Sequence, residues 1–473
     1  MSGQVTVFVI YFLVVFALGW LSMRRTRGEK DYWIAGGNLG WVLGGATIAA
    51  THTSAGSFIG TIGVMYTAGW SFGWLILAIP LAYWFMAAVL APRFTKVKEL
   101  TLPAFIEARY YSKSVRALAA AIILIATVVY IQAQIVAGGL IASTVFGIPT
   151  RTGMVGFTLV LLAYTVVGGM MAVVYTDFLQ LIVMTLGVMV AIPLAIRQVG
   201  GVDELFTLVE AVNPLTFSWA SMPPTLLFTL GLAFMLGSVS SPAQLIRLYA
   251  MRDMRAIRRG ILLAIVLITS INLMVFILSL VAVVLFPALP TGDLAMPMLA
   301  RTVLPPFLGG IMLAAITSAM MSTVDSLLIV AGSSLSLDIY QNLINPNVSA
   351  SRRVIIDRLG IVIVGVVPVV LLLSGVGEGE LVQFIVLLFT SLMASSFFIP
   401  VVLGVYWRRA TREGAAAAMI GGVTMTFAWK SFGPEAIDPV LPGFLFSALL
   451  MVLVSLVTPP PPASATDPYF PAT

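Results

Sequence analysis

GGATIAATHTSAGSFIGTIG, residues 44–63, is apolar enough to sit in a lipid bilayer, yet it is built from residues that weaken a helix. Glycine leaves the backbone too free, and Ser and Thr offer it competing hydrogen bonds. A backbone break at membrane depth is tolerated only where it is buried in protein or lines a cavity. A second stretch of this kind, GLAFMLGSVSSPAQ at 231–244, contains Pro242, which lacks a backbone donor. Interrupted helices with freed carbonyls are how many secondary transporters hold ions and solutes. The chain is therefore read as an all-α polytopic membrane protein with two interrupted helices.

Composition agrees. The 473 residues are 60% hydrophobic and 9% charged, against about 25% charged in soluble domains, and the mean hydropathy is +1.06. Apolar runs recur along nearly the whole length. They predict about thirteen spans, near 5–22, 41–66, 70–91, 115–146, 153–174, 177–197, 224–245, 260–286, 308–338, 354–373, 381–405, 414–432 and 442–457. The first run is followed by Arg24, Arg25 and Arg27 without a small-residue cleavage site, so it reads as a retained helix.

Basic residues orient this layout, because loops rich in Lys and Arg stay cytoplasmic. With the N-terminus outside and the C-terminus inside, inner loops hold 21 of the 25 Lys and Arg residues. Only Arg151, Arg197, Arg301 and Lys430 stay outside. The net charge of +6 thus reports topology and not a nucleic-acid footprint. Outer loops are acidic, with Asp203, Glu204, Glu210, Asp293, Glu378, Glu380, Glu435 and Asp438. They are either solvated loops or a weak concentrator of cations. The Pro-rich tail 458–473 is expected to be disordered.

The two interrupted segments each open a set of five spans, which points to an inverted repeat of 41–197 and 224–405. Residues 1–40 then form an extra helix with a basic inner loop, 198–223 an outer connection, and 406–457 two further helices. The chain has no cysteine and one histidine, His52. Disulfides, thiolate catalysis and His-cluster metal chemistry are excluded. No HExxH motif or repeated pore loop is present, so an embedded enzyme or a channel is less favoured. No long soluble domain or obligate protein partner is evident, and the partners expected are a small solute and the lipid bilayer.

Polar groups within spans mark an ion or solute path, because a charge there costs at least about 2.5–3.5 kcal/mol. Asp177, at an expected helix start, and Asp325 are the two carboxylates found. In MLAAITSAMMSTVDS, 312–326, the residues Ser318, Ser322 and Asp325 form one helical stripe. Ala319, Thr323 and Ser326 form its neighbour. Such stripes serve either a hard cation or close helix packing. His52 either touches solute or caps a freed carbonyl. Tyr130, Gln132 and Gln134 either line the same cavity or bond between helices.

The stretches WIAGGNLGW, SAGSFIG, ELTLPAFIEARY, YTVVGGMMAVVYTDFLQ, LPPFLGGIML…MSTVDS and SLDIY, spread over about 33–432, resemble the sodium:solute symporter family in order and spacing. That family includes sodium/pantothenate, sodium/proline and sodium/sugar carriers. The resemblance implies a LeuT-type five-plus-five inverted repeat in the cell membrane, with sodium as the coupling ion. Carried over by position, it implies sodium ligands at the carbonyls of Ala50, Thr53 and Ala319 and the hydroxyls of Ser322 and Thr323. It implies a coupling role or second sodium site at Asp177, and solute contacts from His52, Ser54, Ser57, Tyr130, Phe234 and Gln244. Asp325, Gln132 and Gln134 are left as pathway candidates. His52 and Phe234 stand where similar proline carriers have Asp and Trp, which speaks against proline. MPMLARTVLPPFLGGIMLAA is closer to pantothenate carriers, and an anionic solute such as a monocarboxylate, or an amino acid, suits the pocket. Proton coupling through Asp177 or Asp325 is the main alternative.

Overall fold

A computed structural model describes residues 3–23, 29–377 and 379–470. The expected loop charges Arg24, Arg25 and Arg27, and Glu378, lie outside them. The described chain is helical, with one isolated bridge in which Leu39 N–H donates to Ala250 O at 2.9 Å.

In chain order the helices are α1 (Gly3–Met23), α2 (Glu29–Ile34), α3 (Trp41–His52), α4 (56–68), α5 (69–94), α6 (Leu102–Tyr110), α7 (Lys113–Phe146) and α8 (Thr150–Gln198). They continue with α9 (Val202–Val212), α10 (Pro224–Ser240), α11 (Pro242–Ala250), α12 (Met254–Leu285) and α13 (Pro306–Ile344). The last are α14 (Ala350–Leu373), α15 (Val382–Tyr406), α16 (Arg412–Phe432), α17 (Val440–Val457) and α18 (Ala463–Thr466).

Among the described residues, ten stretches are long and apolar enough to cross a membrane. The expected span 41–66 is split into α3 and α4, and α4 runs on with the expected span 70–91 as Gly56–Phe94, bent at Gly69 (φ 68). The expected span 153–174 contributes only the shorter Thr150–Ala163, and α16 is not among the ten.

Two interruptions carry the architecture. Between α3 and α4, Thr53 is extended (φ −75, ψ 104). Between α10 and α11, Ser241 is extended (φ −64, ψ 122), the conformation that a following proline favours. A third interruption lies inside α8 at Gly169 (φ 65, ψ 177) and not near 175, where the polar pair Thr176–Asp177 suggested a boundary. This backbone geometry favours glycine. A Cβ at Gly169 would also strike the Tyr32 ring at 2.6 Å. Asp177 therefore lies two turns inside a helix instead of at its start.

α13 is buried along most of its length and packs on α8, α7, α14 and α3. Two further carboxylates that the sequence reading left out lie on membrane helices. Asp338 accepts from Thr101 Oγ1 and Arg116 Nε, both at 2.8 Å. Asp357 accepts from Tyr32 Oη at 2.7 Å.

The Pro-rich tail does not stand free. Tyr469 is buried against Phe105 of α6 (centroids 5.8 Å apart), and Arg408 pairs with Asp467 at 2.6 Å. Asp293 and Asp438, expected in solvated loops, are also buried. Asp293, at the start of the short helical segment 292–303, accepts the Val382 N–H at 2.9 Å at the first residue of α15, and burial pushes its carboxyl up to about 7.

Candidate functional site

The break after α3 sets the site. In an unbroken helix the N–H groups of Ser54 and Ala55 would satisfy the carbonyls of Ala50 and Thr51. Here Ala55 N–H donates to Gln134 Oε1 of α7 at 3.0 Å instead. Gly56 N–H donates to Ser54 Oγ at 3.0 Å, and that oxygen also accepts from Tyr130 Oη at 3.0 Å.

The hydroxyl pair of α13 faces the freed carbonyls. Ser322 Oγ lies 2.9 Å from Ala50 O and 3.2 Å from Ala319 O. Thr323 Oγ1 lies 3.1 Å from Thr51 O, 3.1 Å from Ala319 O and 3.5 Å from Thr53 O. Ala50, Thr53, Ala319, Ser322 and Thr323, the residues assigned to sodium from the sequence, are thus brought together, and all are buried. Two hydroxyls carry two protons, too few for the four carbonyls around them. A buried cluster with more lone pairs than donors suits a hard cation of low charge.

Beside it is a cavity of about 60 Å³, several times the roughly 10–15 Å³ that one water needs. His52, Ser54, Ser57, Tyr130, Phe234 and Gln244 all line it, as does Thr323. Tyr130 stacks on Phe389 with centroids 4.5 Å apart. Among the described residues of the lining none is Asp, Glu, Lys or Arg. His52 does not cap a carbonyl there; its Nδ1 lies 3.0 Å from the hydroxyl of fully buried Tyr83. Gln132 and Gln134 are buried on α7 outside the lining.

Asp177 sits on the other side of α3 in a buried ion pair with Arg247 of α11 at 3.1 Å. Thr47 Oγ1 donates to the same carboxylate oxygen, and Thr51 Oγ1 lies 3.5 Å from it. Arg247 also donates to Ser326 Oγ at 2.5 Å and to Thr47 Oγ1 at 3.0 Å. Arg247, which the charge pattern counts among the inner-loop cations, is fully buried. Its signal was its place three residues after Gln244, inside SPAQLIRLYA.

The stripe of Ser318, Ser322 and Asp325 divides. Ser322 faces the break, while Asp325 turns to α8 and accepts from Thr165 Oγ1 at 2.5 Å. Ser326 joins Thr51 at 3.1 Å. Asn272, Gln383 and Thr51, which the sequence did not single out for the solute, also line the cavity.

A model of the sodium:solute symporter family matches residues 32–422. The chain is 28% identical over 469 residues to the osmoregulated proline transporter of Bacillus subtilis, covering 96% of this chain and 94% of that protein. It is 29% identical over 466 residues to the sodium/pantothenate symporter of Escherichia coli, covering 94% of each. Its fold matches that of a sodium-coupled sialic acid symporter solved in a substrate-bound outward-open state, with TM-score 0.84, 20% identity and 97% and 99% of the two chains covered. A likeness to MhsT in complex with L-phenylalanine gives TM-score 0.57 at 15% identity, covering 88% and 98%.

Proposed function

Because the chain belongs to the sodium:solute symporter family, we propose that it imports a small monocarboxylate or amino acid together with sodium by alternating access. Proteins of this kind are transporters and not enzymes, sodium is the coupling ion, and the chain is a multi-pass cell-membrane protein.

In this reading sodium sits between α3 and α13, held by the carbonyls of Ala50, Thr53 and Ala319 and the hydroxyls of Ser322 and Thr323. The observation that carries it is the bridging of freed α3 carbonyls by the two α13 hydroxyls at 2.9–3.5 Å, directly beside the cavity. Binding the ion joins the interrupted helix to the buried scaffold helix. That raises the population of the solute-competent state, which is all that coupling requires. Inward opening separates the two helices, and both cargoes leave. A membrane potential adds about 2.3 kcal/mol per charge per 100 mV.

The solute occupies the cavity among His52, Ser54, Ser57, Tyr130, Phe234 and Gln244. In the tautomer that accepts the Tyr83 hydroxyl proton at Nδ1, 3.0 Å away, His52 carries Nε2–H for an acceptor such as a carboxylate oxygen. The five-plus-five repeat comprises 41–197 and 224–405, joined by 198–223. One helix precedes it and two follow, thirteen in all, with the N-terminus outside and the C-terminus inside. Proton coupling through Asp177 is disfavoured by its pairing with Arg247; Asp177 serves sodium coupling instead, near the ion's exit.

Uptake of a radiolabelled panel of pantothenate, small monocarboxylates and amino acids into proteoliposomes tests this. Sodium-dependent accumulation of at least one of them is expected. Accumulation of none, or of one at the same rate with and without sodium, would refute the reading.

A further inference from the structure

We infer that Gln134 is a positioning residue of the sodium site, which helps to keep the α3 break open by taking the Ala55 backbone proton that a continuous helix would return to Thr51 O. The inference rests on the sodium reading above. In a continuous helix Ala55 N–H donates to Thr51 O, four residues earlier. Here that N–H goes 3.0 Å to Gln134 Oε1, and Thr51 O is left facing Thr323 Oγ1 at 3.1 Å.

Gln134 therefore does in trans what an N-cap side chain does within its own helix, satisfying one of the orphan donors of the restarting turn. It acts one turn from Tyr130, which through Ser54 Oγ steadies the next amide, that of Gly56. Both residues lie on α7 at i and i+4 and share a face.

The orientation of the amide is fixed chemically. Turned over, its NH2 would meet the Ala55 N–H donor to donor. Gln134 is fully buried and its Nε2 has no partner. A buried amide with an unmet donor is a cost to the fold, so the acceptor is the half that serves here. Without it, Ala55 N–H turns back to Thr51 O, the backbone between Thr51 and Ala55 closes towards helix, and the carbonyl of Thr53 rotates off the ion.

The test is a thermal-shift titration of the full-length protein in detergent, with sodium chloride replacing choline chloride at constant ionic strength and no solute added. Gln134→Met keeps the volume and removes the acceptor; Gln134→Asn keeps an amide that falls one methylene short. Both are expected to raise the sodium concentration for half-maximal shift about five-fold or more, the equivalent of one net hydrogen bond. Gln134→Glu keeps an acceptor oxygen in reach and is expected to titrate like the wild type, although a buried acid lowers its baseline melting temperature. A purely structural role predicts the reverse order, with Met tolerated and Glu harmful. Wild-type-like titration of Gln134→Met, or of Gln134→Asn should the Met variant not fold, overturns the inference. So does a Gln134→Glu response as weak as theirs. Absence of any sodium shift in the wild type would instead overturn the sodium reading, and this inference with it.

Discussion

Replacing Arg247 by Met should damage the fold more than replacing both members of its ion pair. Arg247 and Asp177 are both fully buried, 3.1 Å apart, between α11 and α8. Arg247 also donates to Ser326 Oγ, Thr47 Oγ1 and, at 2.5 Å, Ala243 O. Removing the guanidinium leaves a carboxylate in a dry interior with only hydroxyl donors, a loss of about 3–5 kcal/mol. In Asp177→Asn/Arg247→Met no charge is stranded, and replacing a buried pair with neutral side chains is often close to neutral. The double variant should therefore regain on the order of 2 kcal/mol or more over Arg247→Met, a coupling well above the roughly 0.5 kcal/mol expected of independent sites. Thermal or denaturant unfolding in detergent of the wild type, both single variants and the double variant completes the cycle. Additive losses, or an Arg247→Met protein as stable as the wild type, would refute a buried, mutually dependent pair.

Thr323→Ala removes one of the proposed sodium ligands and should raise the sodium concentration for half-maximal uptake about ten-fold or more, since a hydrogen bond or contact to a charge is worth roughly 1.5–3 kcal/mol; Thr323→Ser should restore it, and an unchanged sodium titration in Thr323→Ala would discard that ligand. Tyr83→Phe should raise the solute KM several-fold while leaving the sodium-induced thermal shift of the solute-free protein intact; equal changes in both would place Tyr83 in general packing. Burial lifts the Asp293 carboxyl from 3.8 to about 7 in the folded state, so the folded protein prefers the neutral form. The carboxyl's contribution to stability is then fully present below about pH 4, is lost as pH rises towards 7 and levels off above it. Asp293→Asn should flatten that part of the profile and melt higher than the wild type at pH 8, and an identical pH profile in the variant would show that Asp293 does not titrate as described.

The interruptions were legible because their chemistry is local. Gly, Ser and Thr crowd residues 44–63, and Pro242 biases the residue before it towards extended backbone. The carbonyl ligands were not legible from periodicity alone; the hydroxyls of 318–326 allowed packing equally well, and the family resemblance pointed to Ser322 and Thr323. What escaped is long-range. Asp177 and Arg247 are 70 residues apart, and Gln134 reaches Ala55 across 79. Arg247 looked like a loop charge because a burial partner leaves no mark on the neighbouring sequence. Thr176–Asp177 suggested a helix boundary because polarity was visible there, whereas the true bend is marked only by the positive φ of Gly169. Proline density in the tail suggests disorder, yet it says nothing of Tyr469 finding Phe105.

Flux itself tests the central claim most directly. Proteoliposomes holding the full chain should accumulate a solute from the panel when an inward sodium gradient is imposed, and should stop doing so when sodium is replaced by potassium or choline. Accumulation that ignores that replacement and is sustained by a proton gradient alone would contradict the account.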